Sequence, residues 1–431
     1  MTAGNEGALV ALKARDYWLF WCGAIVSNSG NWMQTITVPF VIDRMTHSPT
    51  WVGFSAFMAI FPGVAVGPIG GSFADRFPRK QVVLVTQALM MFAAIGLWAV
   101  WTTGAASPEA IVALMTISGI GSGLGIASWQ AFIPQLVPPD HMFSAIRLNS
   151  VQFTAARAFG PALAGIVLAE FGAGTAFGVN ALSFVVVLAA LVAIQPRPVD
   201  LPAAPPRVLE HFRAGVQYVR QRRALVVPVI TIFIVSFFGS SSVHLCAPFA
   251  REVLEVGKAN FGFMVASFGI GAVLGTFANL AIGDRVRRSR MAMAGLVMFA
   301  GGELVFGSAA AYVVSLIGLA GMGVAYMFIA VAMNTSIQAR VDESHRGRVL
   351  AIYLMGLLAG VPLGALTGGA VADGIGLRAT IIGGASAILA FAIVARVTFA
   401  AMGPLDETVP TASPVHADPL LTNQPTIPGA D

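Results

Sequence analysis

The chain has 431 residues, 57% of them hydrophobic and only 10% charged, with a formal net charge of +5. A soluble domain carries about 25% charged residues, so there is too little charge here to cover a soluble globular surface. A mean hydropathy of +0.80 likewise excludes disorder over most of the length.

A polar stretch, 1–16, reads as an N-terminal segment without the cleavage pattern of a secretory signal. Apolar runs then follow at 17–42, 51–74, 81–103, 110–133, 148–170 and 174–194. Each reaches the roughly 20 residues that a membrane helix needs. None alternates strictly enough for a membrane barrel strand. A break at 195–224 opens with Pro196, Pro198, Pro202, Pro205 and Pro206, which hold the chain extended. It continues as an amphipathic helix with Leu209, Phe212, Val216 and Val219 on one side, and Arg213, Arg220, Arg222 and Arg223 suited to an anionic lipid surface. A second set of runs occupies 225–249, 260–283, 290–309, 311–333, 349–372 and 378–400. Residues 401–431, rich in Pro and Thr, read as a disordered tail. The predicted organisation is thus an all-α membrane protein of twelve spans, with six-helix bundles at 17–194 and 225–400. Cys22 and Cys246 lie inside apolar runs, so no disulfide framework is expected.

The two sets repeat each other. At an offset of 209, Gly30 matches Gly239, Pro39-Phe40 matches Pro248-Phe249, Gly53-Phe54 matches Gly262-Phe263, and Asp75-Arg76 matches Asp284-Arg285. At an offset of 204, Gly160, Gly165 and Gly172 match Gly364, Gly369 and Gly376. This is a parallel duplication. Of the 25 Lys and Arg, 20 fall on the side of the termini, Arg44, Arg251, Lys258 and Arg378 on the other, and Arg157 within a span. Excess positive charge marks the cytoplasmic side, so both termini and the central loop are expected in the cytoplasm.

The loop between spans 2 and 3 reads Gly71-Ser72-Phe73-Ala74-Asp75-Arg76-Phe77-Pro78-Arg79-Lys80. It resembles the signature loop of the major facilitator superfamily, Gly-x-x-x-Asp-Arg-x-Gly-Arg-Arg/Lys, with Pro78 where that pattern has Gly. A degraded copy, Gly283-Asp284-Arg285-Val286-Arg287-Arg288, stands in the second half. Three further stretches are similar to bacterial exporters of the enterobactin and macrolide type. They are Trp18 through Thr35, Gln130 through Pro138, and Asn149 through Gly165. The resemblance implies a 6+6 pseudo-twofold transporter working by alternating access. For Gly71, Asp75, Arg76, Arg79, Lys80, Asp284 and Arg285 it implies a gating motif, with Asp75 pairing near the start of span 11, after Arg348. The bland alternative is that these charges only fix topology.

Arg157 is the one basic residue deep in a span, where a charge costs at least about 2.5 kcal/mol. Pro161, four residues on, frees its carbonyl and predicts a kink. Gly160, Pro161 and Gly165 resemble the span-5 antiporter motif, which implies export. Arg157 can serve an anionic substrate group or proton-linked charge exchange, or simply bond helix carbonyls. Glu303 is the clearest acid within a span and a candidate proton carrier, although the resemblance places span 9 at the periphery, where it could be protonated or snorkel. His244 could titrate or be a satisfied interhelical His. Because spans 1, 4, 7 and 10 line the cavity in the superfamily, Asn28, Asn31, Trp32, Gln34, Trp129, Gln130, Tyr326 and Asn334 are the implied cavity residues, with interhelical bonding as their alternative. Asp43 and Glu252 read as solvated loop acids at span ends.

No Gly-Lys-Ser/Thr phosphate loop and no His-Glu-x-x-His or Cys-x-x-Cys pattern occurs, so no ATP site, metal or other cofactor is expected. Gly119, Gly121, Gly123 and Gly125 fall inside span 4 and read as helix packing. The expected function is proton-coupled efflux of a small amphipathic molecule such as a drug, macrolide-like compound or siderophore. A monomer in a bacterial inner membrane, with protons and lipid as partners and no nucleic acid, completes the expectation. The alternatives are an uptake symporter, or a membrane enzyme or lipid-handling protein.

Overall fold

The computed structural model describes residues 9–198, 216–282, 285–341 and 343–398, and among them every regular element is a helix. After a short 3-10 turn at Val10–Lys13, the first half holds α1 (Arg15–Thr46), α2 (Pro49–Arg76), α3 (Arg79–Thr102), α4 (Pro108–Phe132), α5 (Met142–Glu170) and α6 (Gly172–Ala193). The second holds α7 (Arg223–His244), α8 (Cys246–Glu252), α9 (Lys258–Ile282), α10 (Arg288–Ser308), α11 (Tyr312–Gln338), α12 (Glu343–Ile375) and α13 (Leu377–Thr398). Among the described residues, ten segments are long and apolar enough to cross a membrane, with α7 and α8 counted as one. The long helices α1 and α5 fall outside that set. Their apolar character is diluted by Asn28, Asn31 and Gln34 in one, and by Arg147, Asn149 and Gln152 in the other. The tail at 401–431, residues 208–215 of the central-loop helix expected over 208–223, Gly283, Asp284 and the side chains of Arg157 and Arg348 lie outside the described residues.

Local chemistry sets the helix ends. Ser48 and Ser107 cap α2 and α4 by accepting from the amides of Trp51 and Ala110, each followed by proline at the first helical position. The turns from α5 to α6 and from α12 to α13 each pivot on one glycine, Gly172 at φ 81° and Gly376 at φ 88°. These are equivalent positions of the repeat, and both need a left-handed backbone that a Cβ would oppose. Pro78 takes the two-residue turn between α2 and α3 at φ −54°, so the glycine of the superfamily pattern is not required there.

Packing reproduces the duplication helix by helix. In the first half α1 packs on α5 and α6, α2 on α4, and α3 on α4 and α6. In the second, α7 packs on α12 and α13, α9 on α11, and α10 on α11 and α13. The halves meet along two seams, α2 against α12 and α5 against α9. These seams are themselves equivalents under the repeat.

Candidate functional site

Between the bundles lies a cavity of two adjoining lobes, about 330 and 220 Å³. Trp32, Thr35, Pro39, Ile60 and His244 line both. The first lobe carries most of the hydrogen-bonding side chains and belongs mainly to the first bundle, with Asn28, Asn31, Gln34, Ser55, Ser118 and Ser122. The second is apolar and aromatic and belongs mainly to the second bundle, with Phe261, Phe268, Phe299, Tyr326, Val265 and Leu357.

Two prolines shape the boundary between the lobes. Pro39 cannot donate to the carbonyl of Thr35, nor Pro248 to that of His244. At the second the helix breaks, α7 giving way to α8 at Leu245. Thr35 and His244 are equivalents at the 209 offset, so a pseudo-symmetric pair of weakened helix turns sits at the centre of the cavity. His244 is held by its own helix: Nδ1 lies 2.9 Å from the Ser240 carbonyl, which as an acceptor requires Nδ1 to carry the proton. Three serines anchor this segment. Ser240 Oγ donates to the Val361 carbonyl and Ser241 Oγ to that of Gly364, both on α12, while Ser242 Oγ donates to Glu303 Oε1.

Of the residues expected at the cavity, Asn28, Asn31, Trp32, Gln34, Tyr326 and His244 line the lobes. Gln34 is also a structural residue, accepting at 2.5 Å from the Asn180 amide and donating to the Met115 sulfur. Trp129, Gln130 and Asn334 do not line the lobes. Trp129 packs on Phe20, Gln130 is exposed, and Asn334 accepts from Gln338 on its own helix. Glu303 neither snorkels nor reaches the cavity, being fully buried where α7, α10 and α13 meet. Gly160 presses against Trp32, and α5 runs on through Pro161 without a break.

One end of the cavity is shut. We call it the far end, opposite the basic loops. Asp43, 1% exposed, receives two hydrogen bonds from Arg251, at 2.8 and 2.9 Å, and Arg251 also binds Glu252 at 2.7 Å. Asp43 is therefore not the solvated loop acid its position at a span end suggests: its helix runs four residues beyond the apolar run, to Thr46, and carries it into the contact between bundles. Phe40 stacks on Phe261. Asp373 accepts from the Ser48 hydroxyl and the Thr50 amide. Gly53 lies against Ala365 and Gly369, and Gly165 against Gly262, backbone to backbone. All these contacts join the bundles in the half away from the basic loops.

The basic end differs. Gly67 and Gly71 of α2 face open space, and Asp75 is half-buried with no bonded partner among the described residues. The cations of the signature loop instead finish neighbouring helices. Arg79 donates to the Ala131 carbonyl at the end of α4, and Lys80 to the carbonyls of Val192 and Ile194 at the end of α6, where a helix presents negative partial charge. Arg285 donates to the Ala281 carbonyl, ending α9 in the same way.

Two equivalent bundles about a central cavity, with paired seams and the signature loop at equivalent turns, define a transporter of the major facilitator type. Within that superfamily the chain belongs to the transmembrane secretion effector family, whose pattern matches residues 6–424. It is 25% identical to the uncharacterized MFS-type transporter YfiS of Bacillus subtilis (strain 168) over 82% of this chain and 85% of that protein. It is 26% identical to the enterobactin exporter EntS of Shigella boydii serotype 18 over 82% of this chain and 83% of that one. Among solved structures it is similar to a bacterial homologue of the iron transporter ferroportin in an inward-facing state. That match has a TM-score of 0.71 and 16% identity, and covers 90% of this chain and 99% of that one. A bacterial homologue of the lysosomal transporter Spinster, inward-facing and unoccupied, matches with a TM-score of 0.67 and 15% identity, covering 94% and 100%.

Proposed function

We propose that the protein is a secondary active exporter that moves a small amphipathic molecule by alternating access, driven by the proton gradient. The observation that carries this reading is the central cavity, hydrogen-bonding on one wall and aromatic on the other, sealed at the far end by bonds between the bundles. Such a lining suits a ligand with one polar and one apolar side. Similarity to enterobactin exporters supports export as the direction. In this reading α1 and α5 also cross the bilayer, giving twelve spans. The excess of Lys and Arg on the side of the termini supports a cytoplasmic location for that side, and in this reading the state described is open to the inside. Asp75 is the gate carboxylate: when the basic end closes it meets the start of α12, and Arg79 and Lys80 hold the ends of α4 and α6 in register around it.

Everted membrane vesicles carrying the protein, screened with a panel of amphipathic dyes, antibiotics and siderophores, are expected to accumulate at least one of them when the proton gradient is present and to lose it on adding an uncoupler. Accumulation that ignores the uncoupler overturns proton drive. The Asp75→Asn variant is expected to reach the membrane at normal levels and transport at least about tenfold more slowly, a change of about 1.4 kcal/mol in the barrier. Wild-type rates in that variant would remove the gate role.

A further inference from the structure

The junction of α7, α10 and α13 holds a carboxylic acid that the fold does not require. Glu303 of α10 is fully buried. Ser242 Oγ donates to its Oε1, and its Oε2 has no hydrogen-bond partner among the described residues. No Lys, Arg or His forms an ion pair with it among the described residues. The facing groups are few. From α8 comes Cys246, whose thiol bonds the Ser242 carbonyl. From α13 comes Arg378, whose guanidinium is taken by the carbonyls of Gly307 and Ala309, one turn nearer the far end. On α7 the remaining titratable group is His244, two residues past Ser242 and committed to Ser240. Beside the acid, α11 meets Gly302 with Gly318 and Met322, neither of them titratable.

The equivalent junction in the first half is built from neutral groups. Ala94 stands where Glu303 is, and Asn180 where Gly384 is. Asn180 fills the space with an amide bonded to Gln34. In the second half Gly384, having no side chain, leaves room for the carboxyl, with Glu303 Oε1 3.1 Å from where a Cβ would stand. One half therefore closes this junction with a permanently neutral pair, the other with a group that can gain or lose charge.

The acid is also wired to moving parts. Within five residues of α7, Ser242 holds Glu303, Ser240 and Ser241 hold α12, and Ser240 positions His244 in the cavity wall. In turn α12 carries Gly369, half of a seam between the bundles. The carboxyl lies five residues from the far end of α10, about 8 Å along the helix.

We propose that Glu303 is the proton-binding group of this transporter. The assignment rests on the exporter reading above and names its coupling residue. In the state described, Glu303 is neutral, because a carboxylate buried this way would have no cation to pair with among the described residues. It takes one proton from solution when the far end is open. The protonated junction packs tightly and favours closure of that end. Ligand entering against the His244 wall displaces α7, loosens the junction and releases the same proton to the other side. One proton moves in for each ligand moved out, and the charge on the carboxyl returns to its starting value every cycle.

Two measurements on the purified, lipid-reconstituted protein test this without any ligand. Infrared spectra are expected to contain the carbonyl stretch of a protonated carboxylic acid that weakens as pH is raised and is missing from Glu303→Gln. In a Cys22→Ala background, spin labels placed through Thr103→Cys and Lys258→Cys, exposed far-end positions on opposite bundles, are expected to report a short distance at low pH. A longer population should grow as pH rises, and Glu303→Gln should hold the short distance at every pH. Absence of the infrared band, or its survival in the Gln variant, overturns the proposal. A distance with the same pH dependence in both proteins also overturns it, leaving Glu303 a buried structural acid. Neither readout depends on export, so failure of the vesicle assay and failure of this assignment are separable: gradient-driven export that persists in Glu303→Gln removes the assignment and leaves the exporter reading intact.

Discussion

Among the described residues, Asp43 and Arg251 form the one bidentate carboxylate–guanidinium pair between the bundles, with the acid almost wholly buried. Removing Arg251 leaves Asp43 desolvated and without its cation, which costs about 3 kcal/mol for a buried pair, whereas Arg251 keeps Glu252 when Asp43 is replaced. Arg251→Met and Asp43→Asn are each expected to lower the melting temperature in detergent by several degrees and to populate a far-open state. The double variant is expected to lose less than the sum of the two, because it leaves no orphaned charge. Strict additivity in that thermal cycle would show that the two side chains do not act as a pair. Glu252 alone is a different case. It is 40% exposed, and its replacement by Gln is expected to change stability by under about 1 kcal/mol, as for surface pairs generally.

At the scale of the helices, the seams depend on glycines that the repeat places in register. Gly53 and Gly262 are equivalents, as are Gly165 and Gly369, and each seam uses one from each set. A Cβ at Gly262 would strike the backbone of Gly165, which cannot rotate away as a side chain could. Overpacking of this kind costs about 1–3 kcal/mol, and it is lost only in the state where the seam is closed. Gly262→Ala is therefore expected to shift the resting population toward an open far end. A cysteine replacing the buried Ser55 of the cavity should then react roughly tenfold faster with an impermeant thiol reagent added from that side, in line with about 1.4 kcal/mol per decade. An unchanged rate would mean that the seam yields elsewhere. These glycines were legible in the sequence because a duplicated close approach leaves a duplicated glycine. Helix rotation was not legible. Most of these helices are apolar nearly all round, so no single apolar stripe shows which side faces the partner. Trp129, Gln130 and Asn334 sit on the expected helices but turn elsewhere, whereas Asn28 and Asn31 turn inward. The break at Leu245 was signalled by Pro248, yet Pro39 at the equivalent position leaves α1 continuous. The same residue thus has two outcomes that only packing decides.

For the whole molecule, the proposed alternating access and the duplication together predict what a second state would look like. The seams are closed at the far end, while at the other α2 keeps its packing on α4 but has open space at Gly67 and Gly71. If the bundles rock as rigid bodies about the cavity, closing the basic end brings this part of α2 against the start of α12, and small residues at 67 and 71 are what permit that approach. A large side chain there has room in the state described and none in the other. Gly67→Trp is accordingly expected to fold, to keep the melting temperature of the parent within a few degrees, and to remain sealed at the far end, so that the cysteine at position 55 stays unreactive from that side. Active accumulation in everted vesicles should fall to background. The test is asymmetric by construction: Gly262→Ala pushes the molecule toward the far-open state and Gly67→Trp holds it in the other, so combining them should return far-side reactivity to the parent level. If Gly67→Trp transports like the parent, α2 does not close the basic end and the rigid rocking of two bundles is the wrong description of this protein.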